Sequence, residues 1–183
     1  MSPVFNTPWI TDWRPEFVGT LLFIVRPGEA GQEVLLIHKK TGHGRGMVNG
    51  PGGKLEPGES TLECAVRECS EEVGLLALDV RCCCEMRFVE LDGPQWLGFG
   101  FVANAYSGDL RPSAEADPFW CPVADIPYSN MWPDDKVWLP DLLKAPASPQ
   151  VQVGNYLFRD GDLLEHEFVD EPSVWDSFRL SPL

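Results

Sequence analysis

Glu68, Glu71 and Glu72 crowd three carboxylates into five residues of a segment with helical apolar spacing. Four residues separate Glu68 from Glu72, so a helix stacks them one turn apart, with Glu71 one step round. Like charges at that spacing cost about a few tenths of a kcal/mol in an isolated helix. They also sit toward the C-terminal end, where the helix dipole disfavours anions. A bound divalent cation removes both penalties, and clustered carboxylate oxygens suit hard ions such as Mg²⁺ or Mn²⁺. For an acidic triplet taken alone, the plain alternative is a solvated helix face.

Two elements must position these groups. Ser60 and Thr61, after the Gly58–Glu59 turn, predict a helix start. Leu62, Ala65, Val66, Cys69 and Val73 recur at three- and four-residue intervals and predict the buried face, with the glutamates opposite. Gly74 predicts the helix end in a left-handed conformation. Upstream, Lys39 to Lys54 (KKTGHGRGMVNGPGGK) holds six glycines. Such a loop lets backbone N–H groups approach phosphate oxygens closely. On its own it would also serve as a flexible connector.

Together the two elements form a longer pattern. Gly53 to Leu75 reads G-x5-E-x7-R-E-U-x-E-E-x-G-U, where U is apolar. Gly53, Glu59, Arg67, Glu68, Glu71, Glu72 and Gly74 fill every fixed place. This stretch resembles the Nudix box, with Cys69 at a place that usually carries a larger aliphatic residue. The resemblance implies an α/β Nudix fold: a mixed β-sheet sandwiched between helices. It implies hydrolysis of a nucleoside diphosphate linked to another group, with Mg²⁺ (or Mn²⁺) as cofactor. By carry-over Glu68, Glu71 and Glu72 are the metal ligands, and Glu72 or Glu71 takes the proton from water. The Gly53 carbonyl and Glu115, in the polar loop before residue 117, are candidate further ligands. Lys54 is expected at a phosphate. Arg67, within the catalytic motif, is expected to pair with Glu59 and hold the loop against the helix.

A second resemblance covers most of residues 17–169. Both the Lys39–Lys54 loop and Met131 to Leu143 (MWPDDKVWLPDLL) are similar to the MutT-like oxidised purine nucleoside triphosphatases of animals. The base pocket implied is Asn49, Trp132, Asp134 and Asp135, with Thr20 and Lys39 also at matching positions. The chemistry suits a purine. Asn offers a donor and an acceptor, Trp a stacking plane. Two adjacent buried carboxylates would not both stay ionised, so one could donate a proton. Helix capping is the plain alternative for Asp134 and Asp135. Departures fall at His43, Val48 and Pro51, where the animal proteins carry aromatic residues, and bear on the preference for a damaged base. The expected reaction turns an oxidised purine nucleoside triphosphate, such as 8-oxo-dGTP, into a monophosphate and pyrophosphate. Two alternatives stay open: hydrolysis of a dinucleoside polyphosphate or ADP-ribose, or a non-catalytic nucleotide sensor.

The rest of the chain sets bounds. One domain over 1–183 is expected, with a core near 17–169 and tails at 1–16 and 170–183. There are 14 basic and 28 acidic residues, a net charge of −14. That opposes nucleic-acid polymers, which need a basic footprint, and leaves room for a small nucleotide brought with a metal. No apolar run approaches a membrane span, and no leader pattern is read at the N-terminus. Six cysteines without a CxxC pair predict reduced core residues and a cytoplasmic location. A monomer is expected, with a dimer left open. Strands are predicted at 17–25, at 34–39, as one or two within 76–89, and at 96–106. Gly98 and Gly100 leave two bare positions on one strand face, for close packing or a flat ligand. Over 119–127 an aromatic pair is expected to pack before a short connector, followed by a helix at 131–143 and a hairpin about Asp160–Gly161.

Overall fold

The computed structural model describes residues 13–144 and 150–174. Most of the two expected tails and the 144–151 connector lie outside the described residues. Strands β1 (Phe17–Gly28), β2 (Gly31–Lys39), β3 (Val48–Asn49) and β4 (Gly52–Lys54) precede helix α1 (Thr61–Val73). Strands β5 (Leu75–Leu78), β6 (Arg81–Glu90), β7 (Trp96–Ala103), β8 (Ala105–Gly108) and β9 (Ala116–Pro122) follow. Helix α2 (Asp135–Lys144) and the hairpin β10 (Gln152–Arg159) and β11 (Asp162–Val169) complete the order.

The main sheet runs β11-β10-β6-β7-β1-β2-β3, with β4 on β1 and β9 on β2. It is mixed: β1 with β7 and β6 with β10 are parallel, whereas β6 with β7 is antiparallel. Strand β1 changes partner along its length. Gly19–Leu21 pair with β4, and Val25–Gly28 form a hairpin with Gly31–Val34. That register carries β1 on through Arg26, Pro27 and Gly28, past the strand end expected at residue 25.

Side-chain alternation gives the sheet two faces. Leu22, Ile24, Leu35, Ile37, Leu97, Phe99 and Phe101 join Cys64, Ala65, Cys69 and Val73 of α1 in one core. Phe23, Val25, Leu36, Cys84, Met86 and Tyr156 join Trp138, Leu139, Leu142 and Leu143 of α2 in the other. Helices therefore cover both faces, the α/β/α arrangement expected. All six cysteines are free and buried. No helix among the described residues is long and apolar enough to cross a membrane.

Several expectations are corrected. The buried face of α1 is Thr61, Cys64, Ala65, Cys69, Glu72 and Val73, while Leu62 is 38% exposed. The segment 119–127 begins in strand β9, paired with β2 along its length. Helix α2 starts at Asp135 rather than Met131, and Pro140 lies inside it. The 76–89 run forms two strands, as one of its two readings had it, while the 96–106 run divides into β7 and β8. Gly100 serves close packing, since a side chain there would strike the Cys84 thiol and Leu142.

Candidate functional site

Helix α1 is tightly specified at both ends. Ser60 caps its N-terminus and accepts from the Glu63 N–H, while Glu63 reaches back to the Ser60 N–H at 2.8 Å. Gly74 closes the other end at φ 76° and donates to the Ser70 carbonyl. The last turn, which carries the glutamates, is thereby fixed against β4.

The three helix carboxylates have three environments. Glu72 is 2% exposed; one oxygen accepts the Gly52 N–H at 2.9 Å and the other pairs with Lys39 Nζ at 3.1 Å. It therefore belongs to the buried side of the helix, not to the acidic outer face expected for it. Glu68 is half-buried beside Gly53, where any side chain would collide with its carboxylate. Arg67 Nη1 lies 2.8 Å from Glu68 and 3.2 Å from the exposed Glu71. Arg67 also grips Glu59 with two bonds, 2.7 and 2.9 Å, and donates to the Lys54 carbonyl. That is the loop-to-helix clamp expected of the pair. The Arg67 bond holds Glu59 below the usual carboxylate range. Burial pushes Glu68 up; Arg67 opposes this, and the nearby Glu72 and Glu71 charges add to it.

A hard divalent ion fits this donor set, since a cation would relieve the mutual repulsion that raises Glu68. Among the described residues, though, no three such groups converge on one point as the side chains stand. Lys39 and Arg67 place positive charge beside Glu72 and Glu68.

Beside the helix lies a cavity of about 590 Å³. Thr20, Lys39, Asn49, Gly53, Lys54, Glu68, Glu115, Trp132, Asp134 and Asp135 all line it. The lining omits Arg67, Glu71 and Glu72. Thr20 turns its hydroxyl toward the Cys64 sulfur at 3.3 Å. Asn49 spends its side-chain oxygen on the Gly50 N–H at 2.8 Å. Lys54 rests over the Phe17 ring at 3.7 Å, and Glu115 stands exposed at the rim.

Asp134 accepts Trp138 Nε1 at 2.8 Å and Asp135 accepts the Trp132 N–H at 2.9 Å. Both carboxyls are buried, and burial raises both well above the ordinary carboxylate range. The Asp134 charge raises Asp135 further. Asp135 thus caps the start of α2 and faces the cavity at once.

Sequence reasoning missed the floor and one wall. Met86, Phe88, Trp96, Leu97 and Phe158 line the cavity, as does Gly98, with Phe88 and Met86 packed closely against it. Alternation along β6 put Met86 and Phe88 on one face, but only the β6–β10 pairing brings Phe158 beside them. His43, singled out in the sequence only as a departure from the animal proteins, lines the cavity as well. Its ring stacks on Trp132 at 4.8 Å and 15°, and on Trp96 at 5.2 Å and 20°.

Comparison with known proteins agrees with this architecture. The NUDIX domain model matches residues 17–142. The oxidized purine nucleoside triphosphate hydrolase of Danio rerio is 33% identical over 153 residues, covering 83% of this chain and 93% of the fish protein. The Mus musculus protein of the same name is 34% identical over 146 residues, 79% of this chain and 88% of its own. A MutT protein structure from Bacillus halodurans superposes with TM-score 0.70 at 27% identity, covering 85% of this chain and 99% of that one. With an intact glutamate motif on α1 and this match across more than half its length, the chain belongs to the Nudix hydrolase family.

Proposed function

We propose that the protein hydrolyses oxidised purine nucleoside triphosphates, such as 8-oxo-dGTP, to the monophosphate and pyrophosphate. One observation carries the reading. A single cavity is lined by Lys39, Lys54 and Glu68 together with Asn49, Trp132, Asp134 and Asp135. Phosphate chemistry and base recognition thus share one enclosure, with space for one nucleoside.

Glu68, Glu71 and Glu72, with the Gly53 carbonyl and Glu115, would hold Mg²⁺, or Mn²⁺ in its place. The bound ion would supply charge neutralisation and a more acidic water. Glu72 or Glu71 receives the proton of the water that attacks phosphorus. One oxygen–phosphorus bond forms, the bond to the pyrophosphate leaving group breaks, and positioning supplies most of the rate. Arg67 keeps the glycine loop against the helix through Glu59. Lys54 leaves its aromatic rest to meet a phosphate, and Lys39 balances Glu72.

In the base pocket, neutral N–H groups satisfy Asp134 and Asp135, so no cation holds them ionised. A protonated member of that pair and the Asn49 amide N–H donate to an oxidised purine edge, while the remaining carboxylate oxygens accept. Trp132 supplies a stacking plane. The test is pyrophosphate release from 8-oxo-dGTP and dGTP, each with and without Mg²⁺. Metal-dependent release favouring the oxidised base is expected. Equal rates on the two nucleotides would remove the substrate preference, and no release from either would remove the activity.

A further inference from the structure

The stacking plane proposed for the base already carries a ring. His43 lies nearly parallel to Trp132, with centroids 4.8 Å apart, and stacks on Trp96 as well. Both indoles and the imidazole line the same cavity. His43 is carried on a short loop with its own neck: the Lys39 N–H donates to the Met47 carbonyl and the Gly46 N–H to the Lys39 carbonyl. Gly42, Gly44 and Gly46 all have positive φ, at 67°, 81° and 87°. Gly44 passes so close to Trp132 that an added carbon would sit 3.2 Å from its Nε1. The loop is thus built to lay an imidazole on an indole.

We infer that His43 is an internal occupant of the stacking site, and that a purine binds Trp132 by exchanging with it, ring for ring. The inference rests on the proposed base pocket. Its physical basis is that planar rings compete for one face: the base gains a stacking contact only as the imidazole gives one up. Affinity for the base is then set by a difference between two stacks. His43 becomes a specificity-determining residue, favouring bases with more stacking area or more hydrogen bonds than an imidazole replaces. Trp96, on which the imidazole also rests, holds the displaced ring or a second face of the base.

The test follows His43 directly. In the free protein its ring protons should be shifted upfield in the NMR spectrum by the two indoles. Titration with 8-oxo-dGMP should move them toward ordinary positions while the Trp132 indole signal shifts. His43→Ala should bind 8-oxo-dGMP about five-fold more tightly, the worth of one aromatic pair. Weaker or unchanged binding by that variant would make His43 a platform or a bystander and overturn the exchange. Binding to the unaltered protein with His43 signals unmoved would do the same and leave the base pocket standing. If the unaltered protein bound no 8-oxo-dGMP, the proposed base pocket would fall, and the exchange with it. Should His43→Ala fold poorly, the shifts in the unaltered protein decide alone.

Discussion

Two pairs of acidic groups stand in or beside one cavity, and the protein treats them in opposite ways. On α1, Glu68 and Glu72 are matched to cations: Arg67 at 2.8 Å and Lys39 at 3.1 Å. Before and at the start of α2, Asp134 and Asp135 accept from the neutral N–H groups of Trp138 and Trp132. Both regions bury carboxylates. The first keeps positive charge within reach, so a metal can take over from a side chain. The second offers neutral donors in a desolvated place, so a proton takes the part of the cation. What a buried acid can do is therefore decided by its partner more than by its burial.

The contrast can be broken from its strong end. Glu72→Gln keeps the Gly52 bond but removes the charge, and turnover should fall on the order of 10²–10³-fold with the fold retained. Pyrophosphate release and circular dichroism together check it; near-normal turnover would take Glu72 out of the chemistry. Lys39→Met should leave Glu72 buried without its cation, a loss of about 3 kcal/mol of stability. Urea unfolding with and without Mg²⁺ sharpens the point: the ion should restore part of the loss, because it replaces the missing charge. No restoration would mean that the ion does not reach Glu72.

The weaker test is at the other end. Asp134→Asn keeps an acceptor for Trp138 and removes one titrating group. Discrimination between 8-oxo-dGTP and dGTP should fall about ten-fold, the worth of one misplaced proton. The pH dependence has a definite sign. A carboxyl raised in the folded state stabilises the fold fully below its unfolded pKa, near ~3.9, and that stabilisation is lost as pH rises through the raised value. Unfolding at several pH values between 4 and 8 should show a smaller loss in Asp134→Asn. Glu59, held low by Arg67, acts in the reverse direction: its contribution is lost as pH falls.

Local signals were legible wherever one element settled the matter. Ser60, Glu63 and Gly74 are capping residues by type and spacing, and the helix ends where they put it. The hairpin about Asp160–Gly161 was legible for the same reason. The inner face of α1 was not. Counting apolar residues turned Leu62 inward, whereas Thr61 and Glu72 take that side, because Gly52 and Lys39 satisfy Glu72 from other elements. Strand β9 was hidden because Phe119–Trp120–Cys121 gains its order from pairing with β2. In the site, the charged and amide residues could be picked out by type. The floor of Met86, Phe88 and Phe158 could not, since it exists only where β6 meets β10.

The neck at Lys39 has a wider consequence. Two backbone bonds close residues 40–46 on themselves, and the Lys40 N–H ties the loop to the Glu115 carbonyl. Its side chains can be rewritten without disturbing strand register or the glutamate turn. Mutational drift, or a library built by an engineer, can explore new ligands there as a replaceable cassette while the hydrolytic machinery is inherited unchanged.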